Sequence, residues 1–207
     1  MLKGLYAISD ENLTPDGRLL EHAEAVLKGG AKLFQLRHKS GSDEALLPIA
    51  RELKALCECH NALFIVNDRV ELAKNAQAHG LHMGKDDGEL KAARAHLGAK
   101  TLIGVSCYGD LARARTMQEA GADYVAFGSF FVSPTKPAAA VVAASVLTEA
   151  KKRLLIPLCA IGGITLQNAP SLIEAGADMV AVISDLWQNG ATDRARQYAQ
   201  LFNGIKP

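Results

Sequence analysis

The sequence predicts an α/β chain folded as one (β/α)₈ barrel, on three observations. Short apolar runs recur at even intervals, helix-forming stretches separate most of them, and one helix-to-strand joint is used repeatedly. The runs are "LYAIS", "LFQLR", "LFIVN", "GLHMG", "LIGVS", "YVAFGSFF", "LCAIGG" and "MVAVIS", each reading as a strand buried on both faces. Alternating strands and helices point to a parallel sheet with its helices packed outside.

In chain order, the first run at 5–9 is followed by "LLEHAEAVLKGG" (19–30), whose Ala, Leu and Glu content suits a helix. "LFQLR" (33–37) precedes "EALLPIARELKALCECH" (44–60), again helix-like. The "CECH" inside it has the wrong spacing for a zinc knuckle, so Cys57 and Cys59, with Cys107 and Cys159, read as reduced, nonligating thiols. "LFIVN" (63–67) and "GLHMG" (80–84) come next, then "LIGVS" (102–106), the helical "LARARTMQEAGA" (111–122) and "YVAFGSFF" (124–131). "PAAAVVAAS" (137–145) reads as a loop leading into a helix before "LCAIGG" (158–163). "LQNAPSLIEAGA" (166–177) then feeds "MVAVIS" (179–184).

The repeated joint is clearest in "EAGADYVAFGS" from Glu119 and "EAGADMVAVIS" from Glu174. In both, Gly is placed to end a helix in the left-handed conformation before a tight turn into the next strand. "KGGAKLFQLR" from Lys28 is a looser copy and "NAQAHGLHMG" from Asn75 looser still. Eight units in 207 residues make each about 26 residues, compact for a barrel that commonly runs to about 250. A doubly wound open sheet is the alternative, but no "GxGxxG" follows the first strand. No linker or low-complexity tract divides the chain, so residues 1–207 read as a single domain.

With 23 Lys and Arg against 22 Asp and Glu, the formal net charge is +1 and no basic run stands out, which argues against nucleic acid as a partner. No apolar run reaches spanning length and the N-terminal residues lack a secretory pattern, so the expectation is a soluble, cytoplasmic protein without a membrane partner. The assembly state, a homo-oligomer included, stays open.

In a (β/α)₈ barrel the residues just after each strand meet at one rim, where such folds carry their active sites. Here those positions hold Arg37 and Lys39, Asn67 and Asp68, Asp86 and Asp87, Ser106, then "SPTK", "GGIT" and "SD". Arg37, Lys39 and Lys136 gather positive charge that an anion such as a polyphosphate offsets. Asp68 and Asp87 are hard oxygen donors of the kind magnesium takes one or two at a time, leaving its other positions to water and phosphate. Gly163, with the amides of Ile183 and Ser184, suggests a second, separate phosphate pocket after strands seven and eight.

Taken singly, each residue has a plainer reading. A strand-end Asp is commonly a turn former or cap, Arg37 and Lys39 read equally well as solvated charges, and Ser106, Ser133 and Thr135 as turn residues. His82 reads as a packed strand histidine rather than a base, and His22, His60, His79 and His96 attract no role.

With "QLRHK", "VND", "GKDD", "GVS", "SPTK", "AIGGI" and "VIS" in this order, the chain resembles the thiamine phosphate synthases, from about residue 4 to residue 186. The resemblance implies a (β/α)₈ transferase of thiamine biosynthesis. Such an enzyme joins an aminopyrimidine methyl diphosphate to a thiazole phosphate, the pyrophosphate leaving first, with Mg²⁺ as cofactor. Carried over by position, it implies that Gln35 contacts the pyrimidine, within a substrate loop that also contains Leu36 and His38. Arg37, Lys39, Asn67, Ser106 and Lys136 would hold the diphosphate, with Arg37, Lys39, Ser106 and Lys136 acting catalytically. Ser133, Pro134 and Thr135 would line the thiazole side, and Gly163, Ile183 and Ser184 would hold the thiazole phosphate. Asp68 and Asp87 would bind Mg²⁺, with Asp86 the less favoured neighbour.

The chain departs from the family pattern at His38, where an acidic residue is common, at "SPTK" in place of "TPTK", and at "KPAAA", which lacks the acidic residue that often follows the Lys. Three rivals stand beside the synthase: a thiazole tautomerase-like paralogue, a non-catalytic thiamine phosphate sensor, and another phosphate-handling barrel such as a sugar-phosphate isomerase. The retained basic and acidic set argues against each.

Overall fold

A computed structural model describes residues 2–85, 88–132, 140–187 and 190–203 of the chain. Its strands are β1 (Gly4–Ile8), β2 (Leu33–Leu36), β3 (Leu63–Asn67), β4 (Gly80–Met83), β5 (Leu102–Tyr108), β6 (Tyr124–Phe127), β7 (Leu158–Ile161) and β8 (Met179–Val182). All pair in parallel and in sequence order, and β8 closes onto β1 with Gly4 opposite Met179 and Tyr6 opposite Ala181. Outside lie α1 (Leu19–Lys28), α2 (Asp43–Cys59), α3 (Val70–Asn75), α4 (Leu90–Leu97), α5 (Leu111–Glu119), α6 (Ser145–Arg153), α7 (Ala169–Glu174), α8 (Ser184–Trp187) and α9 (Ala191–Asn203). The predicted (β/α)₈ barrel is therefore the fold, and the open sheet is excluded by closure.

The continuous apolar runs make sense once the two faces of each strand are separated. Alternate residues point to opposite faces, so Leu5, Ala7, Phe34, Leu36, Phe64 and Val66 pack outward in one large cluster with the helices. Tyr6, Ile8, Leu33, Ile65, Tyr124, Cys159 and Met179 fill the lumen as a second cluster. Gly104 is required by that lumen packing: a Cβ there would stand 1.9 Å from Cζ of Tyr124. A side chain on β5 at this point would push the Tyr124 ring out of the barrel, so the small residue on one strand makes room for the large one on the next.

The repeated joint is built as the sequence predicts. Gly121 and Gly176 take positive φ (+97° and +115°), and the following amides of Ala122 and Ala177 donate back to Met117 O and Leu172 O. Each Asp then fixes the start of the preceding strand twice. Asp123 donates its amide to Ile103 O (2.8 Å) and accepts from Ile103 N on its carboxylate (2.7 Å). Asp178 repeats this with Leu158 O (2.8 Å) and Leu158 N (2.9 Å). Arg94 pairs with Asp123 and Lys151 with Asp178, so the carboxylates keep a countercharge. In the loosest copy the left-handed residue is Gln77 (φ +52°) rather than a glycine.

Several strand boundaries differ from the apolar runs, most of all at β5, β6 and β8. β6 ends at Phe127, because the amides of Phe130 and Phe131 donate to Ile161 O (3.1 Å) and Gly162 O (3.0 Å) and lay "GSFF" across the end of β7. β5 runs on to Tyr108 through a register shift between Ser106 and Tyr108. Ser184 begins α8 instead of ending a strand. Among the described residues no helix is long and apolar enough to cross a membrane.

Candidate active site

The inward-facing residues at the C-terminal ends of the strands open into a cavity of ≈ 590 Å³. Tyr6, Ala126, Cys159 and Ala181 line its depth; Gln35, Arg37, Asn67, His82 and Ser106 bring polar groups to it; Tyr108, Ser129 and Val142 lie along its β5 and β6 side. The strand register gathers these groups, since Asn67 lies opposite His82 and Ser106 opposite Ala126.

Four of these groups, Gln35, Tyr6, His82 and Ser106, join with the buried Tyr124 in one hydrogen-bonded chain across the lumen. Gln35 Nε2 donates to the Tyr6 hydroxyl (2.6 Å), which lies 3.0 Å from the Tyr124 hydroxyl. Tyr124 reaches His82 Nδ1 (2.9 Å), and His82 Nε2 reaches Ser106 Oγ (2.9 Å). Burial pushes both tyrosine hydroxyls well above the usual phenol range, so they remain neutral donors and acceptors. Two proton arrangements make all four bonds, and the first also gives both buried tyrosine protons an acceptor. If Tyr124 donates to Nδ1, the Nε2–H donates to Ser106 and leaves the Ser106 proton free to point into the cavity. If Nδ1 carries the proton, Ser106 donates to Nε2. Ser106 is thus tied to Gln35 on the opposite side of the mouth.

The basic loop after β2 is fixed by its neighbours. The Arg37 amide donates to Ser9 Oγ (2.9 Å) and its guanidinium lies 3.4 Å from the Asp10 carboxylate, leaving Arg37 at the cavity wall. Lys39 is exposed at the outer margin and does not line the cavity. His38, with its side chain 10 % exposed, sits between the carboxylates of Glu11 (2.9 Å) and Asp16 (3.1 Å), away from the cavity lining. Strand alternation turns the Leu36 side chain outward into the layer between barrel and helices, where it is buried.

Asp68 follows β3 in the left-handed conformation (φ +63°) and is exposed; its amide donates to His82 O (2.9 Å), and Asn67 Nδ2 donates to its Oδ2 (2.6 Å). The carboxylate therefore stands on the rim between β3 and β4, beside Asn67 at the cavity. Asp68 thus offers one hard oxygen donor of the kind a divalent cation takes beside phosphate oxygens, and among the described residues no group of three or more His, Cys, Asp or Glu forms a metal cage. Asp86, Asp87 and the Ser133–Lys136 segment, including Pro134 and Thr135, lie outside the described residues.

A second, smaller cavity of ≈ 190 Å³ adjoins the first and shares Ile161, Gly162, Ala181 and Ile183 with it. Gly163, Thr165, Ser184 and Asp185 line it, so Gly163, Ile183 and Ser184 do meet at one place. The glycine serves the fold as well: a Cβ on Gly163 would come within 2.5 Å of Val132 O. Asp185, also on this wall, accepts from Tyr198 Oη (2.7 Å) and has Arg194 Nε at 3.6 Å.

Sequence reasoning did not single out Tyr6, Tyr124, Glu11, Arg69 or Asp185. Tyr6 and Tyr124 read as strand-forming aromatics within apolar runs, and nothing local marks their hydroxyls as meeting. The one available signal was their placement at lumen positions, legible once Gln35 and Ser106 were placed there.

Residues 5–186 match the family described as thiamine monophosphate synthase. The chain is 49 % identical over 202 residues to the thiamine-phosphate synthase of Thioalkalivibrio sulfidiphilus, covering 97 % of this chain and 96 % of that one. It is likewise 49 % identical over 205 residues to that of Alcanivorax borkumensis, covering 97 % and 94 %. Among solved structures, the thiamine phosphate pyrophosphorylase from Pyrococcus furiosus superposes with a TM-score of 0.88 at 31 % identity, covering 98 % of this chain and 96 % of that one.

Proposed function

The chain belongs to the thiamine monophosphate synthase family, a family of transferases, and from that premise we propose that it joins an aminopyrimidine methyl diphosphate to a thiazole phosphate, releasing pyrophosphate and forming thiamine phosphate. The observation that carries this reading is the pair of adjoining cavities over one barrel mouth. The larger has Gln35, Arg37, Asn67 and Ser106 on its walls; the smaller has Gly163, Ile183 and Ser184. Two phosphorylated substrates that react with each other need two neighbouring anion sites and a shared wall.

The proposed division of labour follows from position for the described residues and from the family resemblance for Asp87 and residues 133–136. Gln35, its amide held by the Tyr6 hydroxyl, orients the pyrimidine in the depth of the larger cavity. Arg37, Lys39, Asn67, Ser106 and Lys136 receive the diphosphate at the rim and disperse the charge that grows on the leaving oxygens, a preorganised effect worth about 3 kcal/mol for a single good donor. Mg²⁺ held by Asp68, with Asp87 as a second carboxylate, supplies further neutralisation of the diphosphate when bound. The leaving group departs before the new bond forms, so the pyrimidine methyl carbon is attacked as a cation by the thiazole nitrogen and no protein base is required. By the family resemblance Ser133, Pro134 and Thr135 would serve the thiazole side, and Gly163 with the amides of Ile183 and Ser184 anchors the thiazole phosphate, supplying proximity.

This enzyme works in the cytoplasm on small molecules. The test mixes both precursors with the protein, with and without Mg²⁺, and follows thiamine phosphate by mass. Product that depends on both precursors and on the metal is the expected result. Conversion of a thiazole tautomer alone, or binding without turnover, overturns the assignment in favour of the tautomerase or the sensor.

A further inference from the structure

The segment 37–40 carries charges intended for an anion, yet an exposed loop of like charges has no reason of its own to hold them in place. Two residues outside the cavity lining grip its backbone from opposite sides. The carboxylate of Glu11, on the loop after β1, accepts from the amides of Lys39 and Ser40, the latter at 2.8 Å, and from the Ser40 hydroxyl at 3.2 Å. The same carboxylate stands 2.9 Å from His38 Nδ1. From the other side Arg69, which directly follows Asp68, donates Nε to His38 O (3.1 Å) and Nη2 to Lys39 O (3.2 Å). Its third nitrogen, Nη1, holds the Asp43 carboxylate at 2.6 Å, at the first residue of α2.

The loop's amide donors thus meet an anion and its carbonyl acceptors meet a cation. Every one of these bonds involves a charged partner, the stronger class of hydrogen bond. The amide of Ser40 is the leading cause that holds the Glu11 carboxyl below the usual carboxylate range. Arg69 engages each of its three guanidinium nitrogens with His38, Lys39 or Asp43 and lines neither cavity, so it bears on an anion at the mouth through the loop it braces. Because Arg69 adjoins Asp68, the brace also ties the basic loop to the strand end that bears that carboxylate.

We infer that Glu11 and Arg69 are positioning residues for the diphosphate substrate, fixing the backbone that presents Arg37 and Lys39 at the distance set by Asp68. The inference rests on the coupling reaction proposed above. It separates the two pockets: the brace serves the diphosphate side and leaves the thiazole phosphate side, built from β7 and β8, untouched.

The test uses the full chain and the variants Arg69→Lys, Arg69→Ala and Glu11→Gln. Inorganic pyrophosphate is titrated in the presence of Mg²⁺ by calorimetry, and KM is measured separately for each substrate. Arg69→Lys keeps the positive charge but not the fork, and it decides the matter if Arg69→Ala fails to fold. The expected result is pyrophosphate binding weakened about tenfold or more and a matching rise in KM for the diphosphate substrate, with KM for the thiazole phosphate within about twofold of wild type. Unchanged pyrophosphate binding in Arg69→Lys and Glu11→Gln, or equal rises in both KM values, overturns the inference. If the wild-type protein neither binds pyrophosphate nor forms product, the coupling reading fails first, and the positioning role falls with it.

Discussion

The hydroxyl oxygens of Tyr6 and Tyr124, 118 positions apart in the chain, stand 3.0 Å from each other inside the barrel. This contact joins the Gln35 half of the mouth to the His82 and Ser106 half. Removing the Tyr124 hydroxyl leaves both Tyr6 Oη and His82 Nδ1 short of a buried partner. Tyr124→Phe is therefore expected to cost about 1–3 kcal/mol in stability by urea unfolding, and to lower kcat/KM for coupling because Ser106 loses its fixed orientation. Wild-type stability and activity together in this variant would show the chain to be ornamental.

The same burial predicts a pH response. Tyr6 and Tyr124 have folded-state pKa values raised above the ordinary 10.0, chiefly by loss of solvation. Below that value both states keep the proton and nothing changes; above it the unfolded chain ionises while the folded chain does not, so stability falls with rising pH. Unfolding free energies measured from about pH 9 to about pH 11 should decline, at up to about 1.4 kcal/mol per pH unit for each such tyrosine. Tyr198 and the thiols of Cys57, Cys107 and Cys159, also raised by burial, add to the slope. A Tyr6→Phe variant should decline less steeply, and an identical slope would count against the buried-phenol explanation.

The barrel was legible in the sequence because its strands are buried on both faces and its joints repeat. "EAGADYVAF" and "EAGADMVAV" declare the same corner twice, and the Gly, the Asp and the following strand all fall where the pattern puts them. The site was legible only where chemistry sits at a strand end: Arg37, Asn67 and Ser106 stand at the cavity because any residue in those positions must. Orientation was not legible. Leu36 shares a motif with Gln35 and Arg37, yet the period of two turns it away from the cavity. Glu11 and Arg69 act across 28 and 30 positions on the Lys39 backbone, a relationship that exists only in the closed fold.

The repeated corner makes its own prediction. Asp178 accepts from Leu158 N and is gripped by Lys151 at 2.7 and 2.8 Å, far from the mouth. Asp178→Ala leaves the start of β7 without its acceptor, and should lower stability by about 1–3 kcal/mol. Catalysis by the folded fraction at low temperature should match wild type. Asp123→Ala should behave alike, since Ile103 N uses Asp123 in the same way. Unequal penalties would mean that the two copies of the joint carry different loads.

Asp68 offers the direct test of the proposed cation. Its left-handed φ of +63° makes Ala a poor replacement, whereas Asn tolerates that conformation and keeps the shape. Asp68→Asn should leave the thermal midpoint near wild type, weaken Mg²⁺-dependent binding of pyrophosphate, and slow coupling by about a hundredfold or more. Retained turnover at wild-type Mg²⁺ concentrations would remove Asp68 from the metal site.

The two cavities can be told apart by a single amide. Ser184 is the first residue of α8 and lines the smaller cavity. Proline fits the first position of a helix, where the amide is not needed for the helix itself, so Ser184→Pro removes one N–H with little harm to the fold. If that N–H faces the thiazole phosphate, calorimetry on the variant should show thiazole phosphate binding weakened about tenfold, the scale of one charge-assisted hydrogen bond. Pyrophosphate binding, which depends on the loops after β2 and β3, should remain within about twofold of wild type. This asymmetry is decisive, because the cavities share Ile161, Gly162, Ala181 and Ile183 and a general distortion of that wall would weaken both ligands together. Equal losses would therefore mean one continuous anion site, and selective loss would mean two phosphates held by separate groups across a common wall.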